Sequence, residues 1–131
     1  MKILYLCITK AYNKKGDFKR PNVYECTRKF WALNSLRKAK EAEIIVGVAN
    51  GKIKGIFKKT VDWQMVKDIP ELQNDEELKA HPDYQTRYAF SGEEIGFSAV
   101  IILSIRLNIV GMLKNIVSNK KYCSWILFIR N

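Results

Sequence analysis

The sequence is poor in the residues that most often carry chemistry. It holds one histidine, three cysteines and three prolines in 131 residues. A lone His81 excludes a two-histidine metal site and, with no second imidazole available, leaves a loop histidine before a proline to which no role is assigned. Cys7, Cys26 and Cys123 are odd in number and far apart, and no CxxC occurs, which excludes a zinc knuckle and a dithiol redox site. They read as reduced, intracellular thiols that pack as small apolar groups. There is no Walker A loop, no GxGxxG and no GxSxG. The carboxylate pairs Glu76-Glu77 and Glu93-Glu94 are sequence neighbours whose side chains point apart, so neither is an acid/base pair. The first 20 residues carry lysines throughout and no long apolar run, so no signal peptide is expected. Catalytic residues, metal and cofactor are expected to be absent, and the protein reads as cytoplasmic.

What is present is charge of one sign, in blocks. Residues 1–60 hold 15 Lys and Arg against 4 Asp and Glu, residues 61–96 hold 3 against 9, and residues 97–131 hold 5 against none. The net charge of +10 on a chain of single-domain size favours a polyanionic partner through counterion release. The whole of 1–131 is read as one domain.

Hydrophobic patterning predicts an α+β fold. Residues 2–8 (KILYLCI) are apolar on both faces, a buried strand. Residues 9–22 form a long polar, basic loop, and loops of this length are often functional. Apolar positions Val23, Cys26, Phe30, Leu33 and Leu36 are spaced by three or four, a helical stripe over 23–42; Asn34-Ser35 in its middle offers a cap for a second helix. Residues 43–49 and 52–59 read as strands joined by Asn50-Gly51, a type I′ turn signal. The acidic stretch 60–82 places Trp63 in a polar loop and a short helix over 70–79 with Pro70 at its start. Residues 85–91 alternate as a strand. Residues 97–113 are almost wholly apolar, but Arg106 and Asn108 interrupt a run already short of the ~20 residues of a membrane span. A buried strand over 98–105 with a short helix after it is expected there, and a closing strand over 122–129.

Candidate ligand-binding residues are cations interleaved with aromatics. Arg28, Lys29, Arg37, Lys38 and Lys40 fall mostly off the apolar stripe and are expected to form an exposed basic face, with Arg87 as a further contact. Tyr24, Trp31, Trp63 and Tyr88 are candidates for a base-stacking pocket, since an aromatic ring under a base is worth about 1–3 kcal/mol. Phe30 and Phe57 read as core. Trp31 and Trp63 either fill the core or line one concavity together.

The run from Tyr24 to Trp31 (YECTRKFW), Arg37-Lys38-Ala39, the hairpin IIVGVANG with Gly55-Ile56-Phe57, Trp63, and Arg87 to Glu94 (RYAFSGEE) resemble a group of small bacterial and phage proteins that look like members of the PUA-like superfamily, near the EVE and ASCH domains. The resemblance covers about residues 1–94. It implies a small curved β-barrel with helices packed on it that binds RNA or modified DNA and holds a modified or extruded base in an aromatic pocket. It carries over no catalytic residue. After Glu94 the sequence departs from the group, where a polar tail is expected. The function expected is therefore nucleic-acid binding without catalysis; a protein–protein module using the acidic segment 62–83, or an enzyme of a mobile element, are the rival readings.

Overall fold

The computed structural model describes residues 2–96 and 124–128. The calls that fall on 98–113, a buried strand with a short helix after it, and on Cys123 lie outside the described residues. Strand β1 (Lys2–Cys7) is apolar on both faces because both are covered: Ile3, Leu4, Tyr5 and Leu6 are all buried. The chain then makes one helical turn, α1 (Thr9–Tyr12), inside what the sequence marks as loop, followed by α2 (Val23–Arg28) and α3 (Leu36–Glu41). It returns as β2 (Ile44–Ala49), parallel to β1 with Ile3 opposite Ile44. A parallel pair needs such a long crossover, and residues 8–43 supply it.

The helical stripe is divided in two. Asn22 caps α2 by accepting from the Glu25 amide at 2.9 Å, and Ser35 caps α3 by accepting from the Lys38 amide at 3.4 Å. α2 ends at Arg28, Lys29 is extended, and Phe30 after it takes a positive φ of 67°, so the first helix does not run on into the second. This conformation is costly for an aromatic residue, about 1–3 kcal/mol. Burial of the ring in a cluster with Val66, Ile69, Leu72 and Leu78 offsets that cost.

Strand β3 (Lys52–Met65) pairs antiparallel with β2 across Asn50-Gly51, whose φ values of 53° and 74° are those of a type I′ turn. The strand runs six residues past its expected end at Lys59. β4 (Tyr88–Glu94) pairs along this extension, with register shifts on both sides of Val61. Trp63 is therefore a strand residue, 1% exposed and packed on Phe90 at 4.8 Å between centroids, which corrects its placement in a polar loop. The segment expected as one helix over 70–79 is a 3₁₀ turn (Pro70–Leu72) and then α4 (Glu76–Ala80), capped by the Asp75 carboxylate.

The sheet order is β4-β3-β2-β1-β5, where β5 (Ser124–Phe128) pairs antiparallel with β1. The α+β class is as expected; the closed barrel is not. Among the described residues β4 and β5 are opposite edges and do not pair with each other. The β4 edge is instead covered from within: Trp31 and Tyr88 exchange backbone hydrogen bonds of 3.0 and 2.9 Å, and the Gly92 amide donates to the Tyr24 hydroxyl at 3.1 Å. Blocking an edge in this way is an alternative to closing the sheet. On one face α2 and α3 bring Cys26, Ala39 and Ala42 onto Leu4, Leu6, Ile45, Phe57, Trp63 and Phe90.

Candidate nucleic-acid interface

A cleft of about 460 Å³ opens where β1 ends, at Cys7 and Ile8. That volume falls in the range of about 300–1,000 Å³ typical of small-ligand sites. Its walls come from three segments distant in sequence: the turn α1 with the loop after it, the Cys26–Trp31 stretch at the end of α2, and residues 77–87. The aromatic part of the wall is Phe18, Phe30, Trp31, His81 and Tyr84. His81 stacks on Tyr84 at 4.8 Å and 22°, Phe30 lies 5.1 Å from Tyr84, and Phe18 meets His81 edge-on at 6.0 Å. The Trp31 indole is held by its N–H donating to the Thr27 carbonyl at 2.7 Å.

The cationic part is Lys10, Lys14, Arg20, Lys29 and Arg87. Arg20 is spent on Glu77 in a two-point ion pair, 3.0 and 3.1 Å, which ties the loop to α4. Lys29 is spent on Asp75 at 2.5 Å and Glu25 at 3.1 Å. Burial pushes the Asp75 carboxyl up, but the Lys29 hydrogen bond and charge and the Glu77 and Leu78 amides outweigh it and hold its pKa below 3.8. Arg87 stacks over Tyr84 at 4.0 Å and donates to the Phe30 carbonyl at 3.3 Å. Lys10 and Lys14 have no carboxylate within ion-pair distance among the described residues. Cys26 also lines the cleft; burial pushes its thiol pKa up, so it is a wall atom rather than a thiolate.

The structure redistributes the residues expected to bind. Arg28 and Lys29 are buried, 8% and 7% exposed, which corrects their place on an open basic face. Both lie one turn after Glu25 of α2, at i+3 and i+4, and pair with its carboxylate, and Arg28 also lies over the Tyr24 ring at 5.5 Å. Arg37, Lys38 and Lys40 are exposed on α3 and do not line the cleft. Of the four stacking candidates only Trp31 lines it. Trp63 is core, so the two tryptophans do not share a concavity. Tyr24 packs on Phe57 at 5.4 Å and covers the β4 edge, and Tyr88 packs against the core beside Trp31. Phe18, His81, Tyr84, Lys10, Lys14 and Arg20 escaped the sequence reading. The one local signal for them was the length and basicity of the 9–22 loop; the partner segment 77–87 is brought to it by tertiary ion pairs that no local pattern encodes.

Among the described residues no helix is long and apolar enough to cross a membrane, and no group of three His, Cys, Asp or Glu side chains is placed to hold a metal ion. Comparison with protein-family models, with curated proteins and with solved structures gave no match.

Proposed function

We propose that the protein is a cytoplasmic nucleic-acid-binding domain that holds one unpaired base in the cleft at the end of β1. The observation that carries this reading is the pairing, in one base-sized concavity, of a stacked aromatic wall with cations that no carboxylate neutralises. A planar, electron-poor ring gains from Tyr84, His81 and Trp31 what a base gains from any aromatic platform, and Lys10 and Lys14 offer charge for the attached phosphates. The resemblance to PUA-like domains points the same way and is part of the proposal; an open sheet serves it as well as a barrel, because the cleft is built at the strand end and not inside the sheet. RNA and modified DNA both satisfy this chemistry.

Titration of a fluorescently labelled single-stranded oligonucleotide, followed by anisotropy at low salt, tests it. Tyr84→Ala is expected to weaken binding about tenfold or more, the loss of one stacking partner. Because Tyr84 also packs on Phe30, Lys10→Glu at the exposed rim serves as a second variant whose fold should be unaffected, and it should weaken binding as well. No binding by the wild type, or affinity unchanged in both variants, rejects the reading.

A further inference from the structure

The loop that follows β1 and the tip of the β2–β3 hairpin form one surface. Asn13 and Asn50 exchange side-chain amide hydrogen bonds of 2.8 and 3.0 Å, and the Asn50 backbone amide donates to the Thr9 hydroxyl at 3.2 Å. Lys54, from β3, sits over the Tyr12 ring at 5.1 Å, and Lys14 sits over Phe18 at 5.4 Å. Tyr12 and Phe18 are two of the three large apolar side chains exposed among the described residues.

Ion pairing separates the cations of the fold, but not this surface from α3: Arg37, Lys38 and Lys40 also lack a carboxylate within 4.0 Å among the described residues, so what distinguishes the surface is its exposed rings and its place beside the cleft. Arg20, Arg28, Lys29, Lys59 and Lys79 each have a carboxylate within 4.0 Å. Lys10, Lys14, Lys15, Lys19, Lys52 and Lys54 have none among the described residues, and Asp17 is the single acidic residue of the loop. Two of these lysines thus sit on the two exposed rings, Lys54 on Tyr12 and Lys14 on Phe18, and Lys14 lines the cleft together with Lys10. Helix α3, by contrast, lies at the other end of the sheet: its Glu41 pairs with Lys2 at 2.6 Å, at the start of β1, whereas the cleft opens at Cys7. Five strand steps of about 3.3 Å separate those ends by about 17 Å.

We infer that the phosphates of the bound strand run across this loop–hairpin rim, not across α3, and that the ligand is single-stranded. The inference rests on the proposed cleft reading and adds the path and the strandedness. Lysines alternating with exposed rings suit a flexible chain whose bases stack in passing, and an unpaired base enters the cleft without the few kcal/mol of unstacking that a duplex exacts.

The test compares the wild type, Lys52→Ala/Lys54→Ala, Arg37→Ala/Lys38→Ala and Tyr84→Ala. The probes are a labelled 12-nucleotide DNA strand, its RNA counterpart and the DNA duplex, each titrated over a range of salt. The single strand, in DNA or RNA form, is expected to bind at least tenfold more tightly than the duplex. The rim variant should lower the slope of log K against log salt by about 1.4, the share of two phosphate contacts on a single strand, and the α3 variant should leave it unchanged. An unchanged slope in the rim variant, an equal fall in the α3 variant, or a duplex bound as tightly as the strand overturns the inference. If Tyr84→Ala weakens binding while the rim slope is unchanged, the cleft stands and the rim falls. If the rim slope falls while Tyr84→Ala binds normally, the rim stands and the cleft falls. No binding of any probe by the wild type removes both.

Discussion

At the scale of single residues, the fold leans on a few backbone conformations and a few buried polar atoms. Gly51 at a φ of 74° closes the β2–β3 turn, where a β-branched side chain clashes with its own backbone. Gly51→Val is expected to destabilise the protein by well over 1 kcal/mol, read as a lower midpoint in a urea melt; an unchanged midpoint contradicts the turn assignment. This residue was readable from the sequence because a two-residue turn is specified by the two residues in it. Tyr5 shows the opposite case. Its hydroxyl is buried with no hydrogen-bond partner among the described residues, and burial alone pushes its pKa up from 10.0 to about 12. The neutral phenol is the form the fold accepts, so its contribution is intact below pH 10 and is lost as pH rises toward 12. Tyr5→Phe removes an unsatisfied polar atom without opening a cavity, and is expected to leave stability equal or higher by up to about 1 kcal/mol at pH 7. Its advantage over wild type should grow above pH 10 in paired thermal melts. A gap that stays flat across that range refutes the assignment.

At the scale of elements, the sequence carried the order of strands and helices well and their boundaries less well, for physical reasons that particular residues show. β1, β2 and the hairpin have dense apolar patterns and were readable. The far half of β3 was not: Thr60, Val61 and Asp62 are all exposed, and the register shifts around Val61 break the two-residue alternation by which a strand is recognised. Only pairing with β4 makes that segment a strand. The stripe over 23–42 shows the same limit, because the positive φ at Phe30 is imposed by the cluster that buries the ring, and periodicity alone runs straight through it. Gly92 marks where β4 adapts to the shifted register. A methyl group there would lie 2.6 Å from the Lys58 carbonyl oxygen, a backbone atom that cannot swing aside. Gly92→Ala is expected to cost about 1–3 kcal/mol, visible as a lower thermal midpoint, with retention of wild-type stability as the contrary outcome.

At the scale of the whole molecule, the charge blocks in the sequence turn out to be partners. The acidic segment 61–96 folds back onto the basic one: Asp75 meets Lys29 and Glu77 meets Arg20, 46 and 57 residues apart. That pairing explains why the candidate site was only partly readable. Net charge by segment is visible in the sequence, but which cations are consumed internally is a property of the tertiary fold, as the burial of Arg28 and Lys29 against Glu25 shows. It also makes the fold sensitive to acid. The Asp75 carboxyl, held below 3.8 by Lys29 and the α4 amides, contributes stability that is present above the unfolded value of about 3.9 and is lost as pH falls through the folded value. Asp75→Asn separates the charge from the cap, since asparagine caps a helix as well as aspartate does. At pH 7 the variant is expected to be less stable by about 1–3 kcal/mol, short of the 3–5 for a fully orphaned buried charge because Lys29 keeps Glu25 at 3.1 Å. As pH falls through the lowered folded value wild-type Asp75 itself becomes neutral, so the two proteins should converge in acid. Urea melts of both between pH 7 and pH 2 measure this directly: a gap that closes in acid assigns the stabilisation to the Lys29–Asp75 pair, and a gap that stays constant assigns it to packing and removes the ion pair from the account.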